Sequence, residues 1–236
     1  MPAALYLIPV TLGDTPIDQV LPSYNRDVIL SIRHFIVEEE RTARRFLKSV
    51  CRDIDIDGLT FYPMGKHSDE HQFRSYLKPI AEGQSVGIIS EAGCPAIADP
   101  GADVVAIAQK LNIRIIPLVG PSSILLALMS SGFNGQSFAF NGYLPIQPAQ
   151  RSSLIKRLEA RAYAEHQTQI FIETPFRNDR IINDLTSICR PQTLLCIAAG
   201  LTTAEEYVRT LPMQQWKKVQ LPDLRKTPSI FLISAP

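Results

Sequence analysis

Short apolar runs alternate with helix-like segments through the first half of this 236-residue chain. The strand-length runs lie at 5–10, 31–37, 59–62, 85–89 and 113–119. Strands that alternate with helical crossovers form a parallel sheet, because each crossover returns the next strand to the same direction. We therefore expect an α/β fold with a mostly parallel sheet in a first lobe.

The second half keeps the alternation but carries longer and more charged helices. Strands are predicted at 137–143, 169–173, 193–199 and 229–234, and helices at about 150–165 and 178–188. This pattern predicts two α/β lobes that meet near residue 120. We expect lobe 1–120 to hold the mostly parallel sheet and lobe 121–236 to hold a mixed one.

Composition excludes several classes of function. A net charge of +1 gives no global basic field, so nucleic acid would have to bind through a local patch. The four cysteines have neither paired spacing nor matching histidines, so we expect no metal site, and reduced thiols indicate a cytoplasmic protein. We also expect neither a signal peptide nor a membrane span, because no run approaches the ~18 apolar residues that a span needs.

The loop 90–101, Ser-Glu-Ala-Gly-Cys-Pro-Ala-Ile-Ala-Asp-Pro-Gly, joins the predicted strand 85–89 to a predicted helix at 102–111. Its two prolines make it stiff, and its small residues let the backbone approach a ligand. Such loops lie at the carboxyl edge of a parallel sheet, where open α/β folds bind ligands. From spacing alone, a ligand-binding wall and a rigid connector are equally good interpretations.

Four further motifs accompany this loop in order. They are Leu-Tyr-Leu-Ile-Pro with Gly-Asp in 5–14, Val-Glu-Glu-Glu-Arg-Thr-Ala-Arg at 37–44, Pro-Leu-Val-Gly-Pro-Ser at 117–122 and Glu-Thr-Pro-Phe-Arg at 173–177. Together the five motifs resemble the tetrapyrrole methylase superfamily of S-adenosylmethionine-dependent methyltransferases. The resemblance is strongest to its ribosomal small-subunit RNA 2′-O-methyltransferase I branch.

Four positions depart from the pattern of that branch. Glu39 and Glu91 stand where aspartate is usual, Cys94 replaces threonine and Phe176 replaces histidine. The branch usually carries an additional C-terminal segment after the position of Pro236. These departures leave the superfamily resemblance intact and bear on the identity of the substrate.

The resemblance implies that S-adenosylmethionine binds in a cleft between the two lobes. The implied cofactor-binding residues are Gly93, Cys94, Pro95, Ala96, Ile97, Ser122, Ser123, Phe171, Glu173, Thr174, Ala199, Gly200, Leu201, Thr227 and Pro228. For the two serines, which open a predicted helix, capping the helix and binding an anionic group are compatible roles.

The 37–44 motif supplies the predicted catalytic residues, Glu39 and Arg41. A carboxylate there could deprotonate a substrate hydroxyl, and it could equally stabilise the first turn of a helix. Basic residues recur at 41, 44, 45 and 48 on one helical face, which is either a phosphate-binding stripe or a solvated face. The predicted substrate-binding residues are Arg44, His67, His71 and Arg177.

The sequence therefore predicts a cytoplasmic, homodimeric S-adenosylmethionine-dependent methyltransferase that 2′-O-methylates a ribose of ribosomal RNA, alone or in the small ribosomal subunit. One alternative is a member of the same superfamily that methylates a tetrapyrrole or a protein side chain. The other is a regulatory module that binds S-adenosylmethionine without turnover.

Overall fold

The computed structural model describes residues 3–65 and 69–236. It divides the chain into two compact units, Met1–Ser122 and Ser123–Pro236. Each unit is built around one five-stranded sheet. In the described ranges, no helix has both the length and the apolar character needed to cross a lipid bilayer.

The first unit contains an entirely parallel sheet, as predicted. Its strands are β1 (Leu5–Ile8), β2 (His34–Val37), β3 (Thr60–Pro63), β4 (Val86–Ile89) and β5 (Ile115–Pro117). They lie in the order β3-β2-β4-β1-β5. Because all five run in the same direction, the loops that follow them leave from one edge of the sheet, which brings four of the five motifs to that edge.

In the described part of the first unit, six helices connect these strands. They are α1 (Ile17–Val20), α2 (Ser23–Ser31), α3 (Glu40–Val50), α4 (Glu70–Tyr76), α5 (Lys78–Ala81) and α6 (Ala102–Lys110). The predicted strand 31–37 begins only at His34, because α2 occupies the residues before it. The polar stretch after β3 also becomes helical earlier than expected, since the Asp69 side chain accepts from the Gln72 N–H and caps α4.

The second unit contains a mixed sheet, which confirms the prediction. Its strands are β6 (Phe138–Tyr143), β7 (Thr168–Glu173), β8 (Leu194–Ala199), β9 (Tyr207–Pro212) and β10 (Ser229–Ser234). The order is β6-β7-β10-β8-β9, with β6 parallel to β7 and the other neighbours antiparallel. Strand β9, absent from the sequence prediction, is an edge strand without a fully buried residue.

The helices of the second unit pack on this sheet. They are α7 (Ser123–Ser131), α8 (Pro148–Glu165), α9 (Asn178–Ile188) and α10 (Met213–Trp216), with a 3-10 turn at Pro175–Arg177. Phe171 of β7 and Phe231 of β10 stack in the core with ring centroids 5.9 Å apart. The Phe171 side chain is therefore part of the sheet packing, and its backbone is in register with Phe231 of β10.

A buried arginine joins α8 to α9. The Arg151 side chain is 1% exposed, and its Nε donates to Asp184 Oδ2 at 2.7 Å. Its Nη1 also donates to the carbonyls of Pro145 and Ile146, at 3.0 and 2.7 Å. One guanidinium thus fixes both the neighbouring helix and the turn that precedes its own helix.

Candidate active site

The loop 90–101 is tied to the loop that follows β1. The Val10 N–H donates to the Gly93 carbonyl at 3.0 Å, and the Ser90 hydroxyl donates to the same oxygen at 2.8 Å. Gly93 has a positive φ of 69°, and a Cβ there would lie 3.0 Å from Leu12 and 3.2 Å from the Pro121 carbonyl. Glycine is required at this position by both the backbone conformation and the lack of space.

Two alanines in this loop adopt the left-handed conformation. Ala96 has φ 65° and Ala98 has φ 62°, and Gly101 ends the loop at φ 122°. This conformation costs an L-residue about 1–2 kcal/mol, so the surrounding structure must hold it in place. Such local strain is typical of ligand-binding loops.

The loop leaves polar backbone groups available to a ligand. No backbone carbonyl in the described part of the chain accepts from the N–H groups of Ala96 and Ala98. Ala96 is half-buried and Ala98 is exposed. N–H donors beside small side chains suit the carboxylate and hydroxyl groups that S-adenosylmethionine carries, so the residues present fit that cofactor.

The 117–122 motif packs against both neighbouring loops. A Cβ on Gly120 would lie 2.2 Å from Cγ of Pro9, so only glycine fits against that ring. The Cys94 thiol lies 3.4 Å from the Pro121 carbonyl, and burial raises the pKa of this thiol. The sulfur therefore stays protonated and acts as a weak donor where the resembling family has a threonine hydroxyl.

Three carboxylates face one another where β2 and β4 end. Burial raises the pKa of Glu38, and the nearby charges of Asp99 and Glu91 raise it further. Burial, followed by the charge of Glu91, likewise raises the pKa of Asp99. The Glu38 Oε1 atom is buried and has no hydrogen-bond partner. Glu38 can therefore accept a proton or a hydrogen bond from a ligand, although no described group of acidic, histidine or cysteine side chains could hold a metal ion.

We expect Glu38→Gln to stabilise the protein near neutral pH. Below the unfolded-state pKa of about 4.3 the carboxyl is protonated in both states, so the substitution has little effect there. As the pH rises through the raised folded-state pKa, the folded protein must carry the repelled charge, and wild type loses stability relative to the variant. Thermal melts at pH 4 and pH 7.5 measure the difference.

Glu39→Gln is the matched control for these melts, since it removes the same charge one residue away while leaving an acceptor oxygen for the helix cap. Its melting temperature is expected to differ little from wild type at either pH. A Glu38→Gln variant that melts below wild type at pH 7.5 would contradict the electrostatic assignment.

The predicted catalytic pair lies at the start of α3. Glu39 is exposed, and its carboxylate accepts from the backbone N–H of Arg41 at 3.2 Å as the helix N-cap. The Thr42 hydroxyl lies 2.7 Å from Glu91 Oε1 and joins this turn to the loop 90–101. The buried carboxylate oxygen without a hydrogen-bond partner in this motif belongs to Glu38, and not to Glu39. The charges that act on Glu38 come from Asp99 and Glu91, which are distant in sequence.

The basic face of α3 is divided by its contacts. Arg44 pairs with Glu40 at 2.8 Å and lies over the Phe61 ring, and the Lys48 ammonium donates to two backbone carbonyls. Arg41 and Arg45 are exposed and form no ion pair with a described residue. These two guanidinium groups are the ones free to contact an anion.

The structure describes two of the three remaining predicted substrate residues, His71 and Arg177. His71 is exposed in the first turn of α4, and not in a loop as expected. His67 lies outside the described residues. Arg177 pairs through Nη2 with Glu173 Oε2 at 2.9 Å. The Glu173 side chain is fully buried and also accepts from the Thr174 N–H at 2.8 Å, so both residues of this motif are engaged in holding the turn after β7.

The sheet of the second unit brings the other predicted cofactor residues to one edge. Ser229, the first residue of β10, pairs with Glu173 and Ala199, the last residues of β7 and β8. The Gly200 N–H donates to the Pro228 carbonyl at 3.1 Å. Hence the neighbouring residues Thr174, Leu201 and Thr227 also lie at this edge.

Sequence reasoning missed one residue that organises this edge. Asn178 is fully buried, and its Nδ2 group lies within 3.0 Å of the Leu224 and Thr227 carbonyls and the Ser229 hydroxyl. It therefore shapes the segment that contains Thr227 and Pro228. An asparagine at the start of a predicted helix is common, so its sequence position carries no signal for this role.

Comparison with known proteins finds relatives in sequence and in structure. No protein-family model matches the chain. Ribosomal RNA small subunit methyltransferase I of Vibrio cholerae is 28% identical over 211 residues, which cover 89% of this chain and 69% of that protein. The protein of the same name from Pseudomonas aeruginosa is 30% identical over 150 residues, covering 64% and 52%. The chain thus spans about half to two thirds of the relatives it matches.

Solved structures decide the fold. The methyltransferase CobJ covers 99% of this chain, and 94% of CobJ is covered in return, with a TM-score of 0.65 at 17% identity. This chain has the tetrapyrrole methylase fold. Uroporphyrin-III C-methyltransferase of Thermus thermophilus, solved with S-adenosyl homocysteine, also shares the tetrapyrrole methylase fold with a TM-score of 0.56 at 14% identity. The fold that the five motifs predict is therefore confirmed.

Proposed function

We propose that the chain is an S-adenosylmethionine-dependent methyltransferase that methylates a ribose 2′-hydroxyl in small-subunit ribosomal RNA. The observation that carries the proposal is the strained loop at residues 93–98, which combines two left-handed alanines with free N–H groups at the carboxyl edge of a parallel sheet. The sequence relatives are ribosomal RNA small subunit methyltransferases I by name, which supports the RNA substrate.

In this proposal the cofactor, when bound, supplies a methyl group on a sulfonium centre. The loop 93–97 binds it through backbone groups. Ser122 and Ser123, at the start of α7, are a second binding segment. The edge of the second unit holds the other residues that the family resemblance predicts to bind the cofactor, namely Thr174, Ala199, Gly200, Leu201, Thr227 and Pro228. Glu173 and Arg177 hold that edge in shape, through the ion pair described above.

We assign Glu38 as the residue that accepts the proton of the substrate hydroxyl. As the ribose oxygen forms its bond to the methyl carbon, the carbon–sulfur bond breaks with its electron pair staying on sulfur, and the hydroxyl proton passes to the Glu38 carboxylate. The buried, unpartnered oxygen of Glu38 supports this role better than the exposed cap of Glu39 does. Arg41 remains a candidate for contact with the RNA backbone.

Methyl transfer to ribosomal subunits tests the function. Small subunits from a strain that lacks the gene are incubated with the purified chain and S-adenosylmethionine carrying a tritiated methyl group. We expect label in one ribose, and a rate at least tenfold lower with Glu38→Gln. If the label appears in a tetrapyrrole or a protein and not in RNA, the proposed RNA substrate is wrong. Cofactor binding without any methylated product would favour the regulatory module.

We also propose that the chain is cytoplasmic and forms a homodimer. Leu125 and Met129, one helical turn apart on α7, are 51% and 79% exposed. Apolar side chains on one helix face are typical of protein–protein contacts, and a second copy of the chain is the partner that we propose for them.

A further inference from the structure

A cavity of about 530 Å³ opens in the first unit at the carboxyl edge of the parallel sheet. We name it the α3 cavity. Its walls are the loop 10–14, one face of α3, and residues 89–91 at the end of β4. Its volume lies within the range of about 300–1,000 Å³ that small-molecule sites occupy. The residues predicted to bind the cofactor in 93–97 do not line it, so it is a separate space beside that loop.

The charges in the α3 cavity leave one position, beside Arg45, where an anionic group of a ligand can be paired. Arg45 supplies a guanidinium that no described carboxylate neutralises. Asp14 and Glu91 supply two carboxylates on the other walls, and Glu91 is held in place by the Thr42 hydroxyl. A macrocycle with several carboxylates would meet both acidic side chains, so the cavity is unsuited to a polyanionic tetrapyrrole.

The uncharged walls complete the pattern. Phe46 offers a half-buried aromatic ring for stacking. Ser49 and Thr11 add hydroxyl groups, and the Ser49 proton is already donated to the Phe46 carbonyl at 2.7 Å. A nucleotide within an RNA strand offers a flat base, one anionic phosphate and a 2′-hydroxyl, and proteins read unpaired RNA bases by stacking and by edge contacts.

We infer that the α3 cavity binds one unpaired ribonucleotide of the RNA substrate. Arg45 contacts its phosphate, Phe46 stacks on its base, and the carboxylates of Asp14 and Glu91 accept hydrogen bonds from its hydroxyl or amino groups. This inference rests on the proposed RNA methyltransferase function and adds the site at which the RNA is recognised.

Two substitutions test the site by different means. Arg45→Gln removes the phosphate contact, and Ser49→Phe fills the cavity without changing charge. Arg33→Gln is the matched control, because Arg33 is exposed and immediately precedes β2, at the opposite edge of the same sheet. Binding of a fluorescently labelled, mixed-sequence single-stranded RNA is measured by anisotropy at several salt concentrations, and binding of S-adenosylmethionine by calorimetry.

For Arg45→Gln we expect the plot of log affinity against log salt concentration to be less steep by about 0.7, the contribution of one phosphate contact on a single strand. Ser49→Phe should lower the rate of RNA methylation at least tenfold. The control should match wild type in both assays, and all three variants should keep wild-type affinity for the cofactor.

Either variant result can overturn the inference. If Arg45→Gln keeps the wild-type salt dependence, Arg45 does not contact a phosphate. If Ser49→Phe keeps the wild-type methylation rate, no nucleotide of the substrate binds in the cavity. If the wild-type chain itself neither binds RNA nor methylates it, the proposed function fails first. The two failures are therefore distinguishable.

Discussion

Replacing Ala96 with leucine is expected to weaken the binding of S-adenosylmethionine by at least tenfold. Ala96 lies within the curl of the loop 90–101, where a Cβ on Gly101 would be 3.7 Å from its methyl group. We expect a longer side chain at this half-buried position to occupy space that the cofactor needs beside the loop. Calorimetric titration of the cofactor measures the effect.

Ala98→Leu is the matched control for this experiment. Ala98 has nearly the same φ as Ala96, so leucine meets the same backbone strain of about 1–2 kcal/mol at both positions. Ala98 is exposed, however, and we expect its variant to bind the cofactor within threefold of wild type. Equal cofactor affinities for the two variants would show that the cofactor does not bind at this loop.

Replacing Arg151 with methionine is expected to destabilise the protein by about 2–4 kcal/mol. The substitution leaves the Pro145 and Ile146 carbonyls without their donor and Asp184 without its partner. Breaking a buried ion pair costs about 3–5 kcal/mol, and the lower figure follows because Asp184 is 31% exposed and regains water. Chemical denaturation monitored by circular dichroism measures the change.

Arg161 provides the comparison on the same helix. It pairs with Glu165 at 3.3 Å, but both side chains are more than 40% exposed, so Arg161→Met should cost under about 1 kcal/mol. Arg151→Lys should remain destabilised, because one ammonium cannot reproduce the planar fork that reaches three acceptors. Similar stabilities for the methionine variants at 151 and 161 would show that the buried contacts are dispensable.

Much of the fold could be predicted because periodicity reports directly on burial. Helix α9 and strand β10 begin and end where the sequence pattern predicts, since the apolar residues of α9 follow the helical period and those of β10 form one short continuous run. Strand β9 was not predicted, because an edge strand is half-solvated and its Tyr-Val-Arg-Thr-Leu-Pro sequence mixes apolar and polar residues. Helix α2 escaped because its first half is polar.

The candidate site divides along the same lines. The glycines and prolines of 90–101 mark a constrained loop in any context, so its position could be predicted from sequence. The distinction between Glu38 and Glu39 could not, because it depends on the burial of one carboxylate and on the charge of Asp99, some 60 residues later. Arg151 looks in sequence like the other basic residues of α8, and only tertiary packing separates it from Arg161.

The strand order of the first unit has a consequence for synthesis of the chain. Strand β1 pairs with β4 and β5, whose residues are made about 80 to 110 positions later. At about 5–20 residues per second, the Leu-Tyr-Leu-Ile segment leaves the ribosome and stays without its partners for roughly 4–20 s. Strands β2 and β3 can meet each other during that interval, so the first strand made is among the last to enter its sheet.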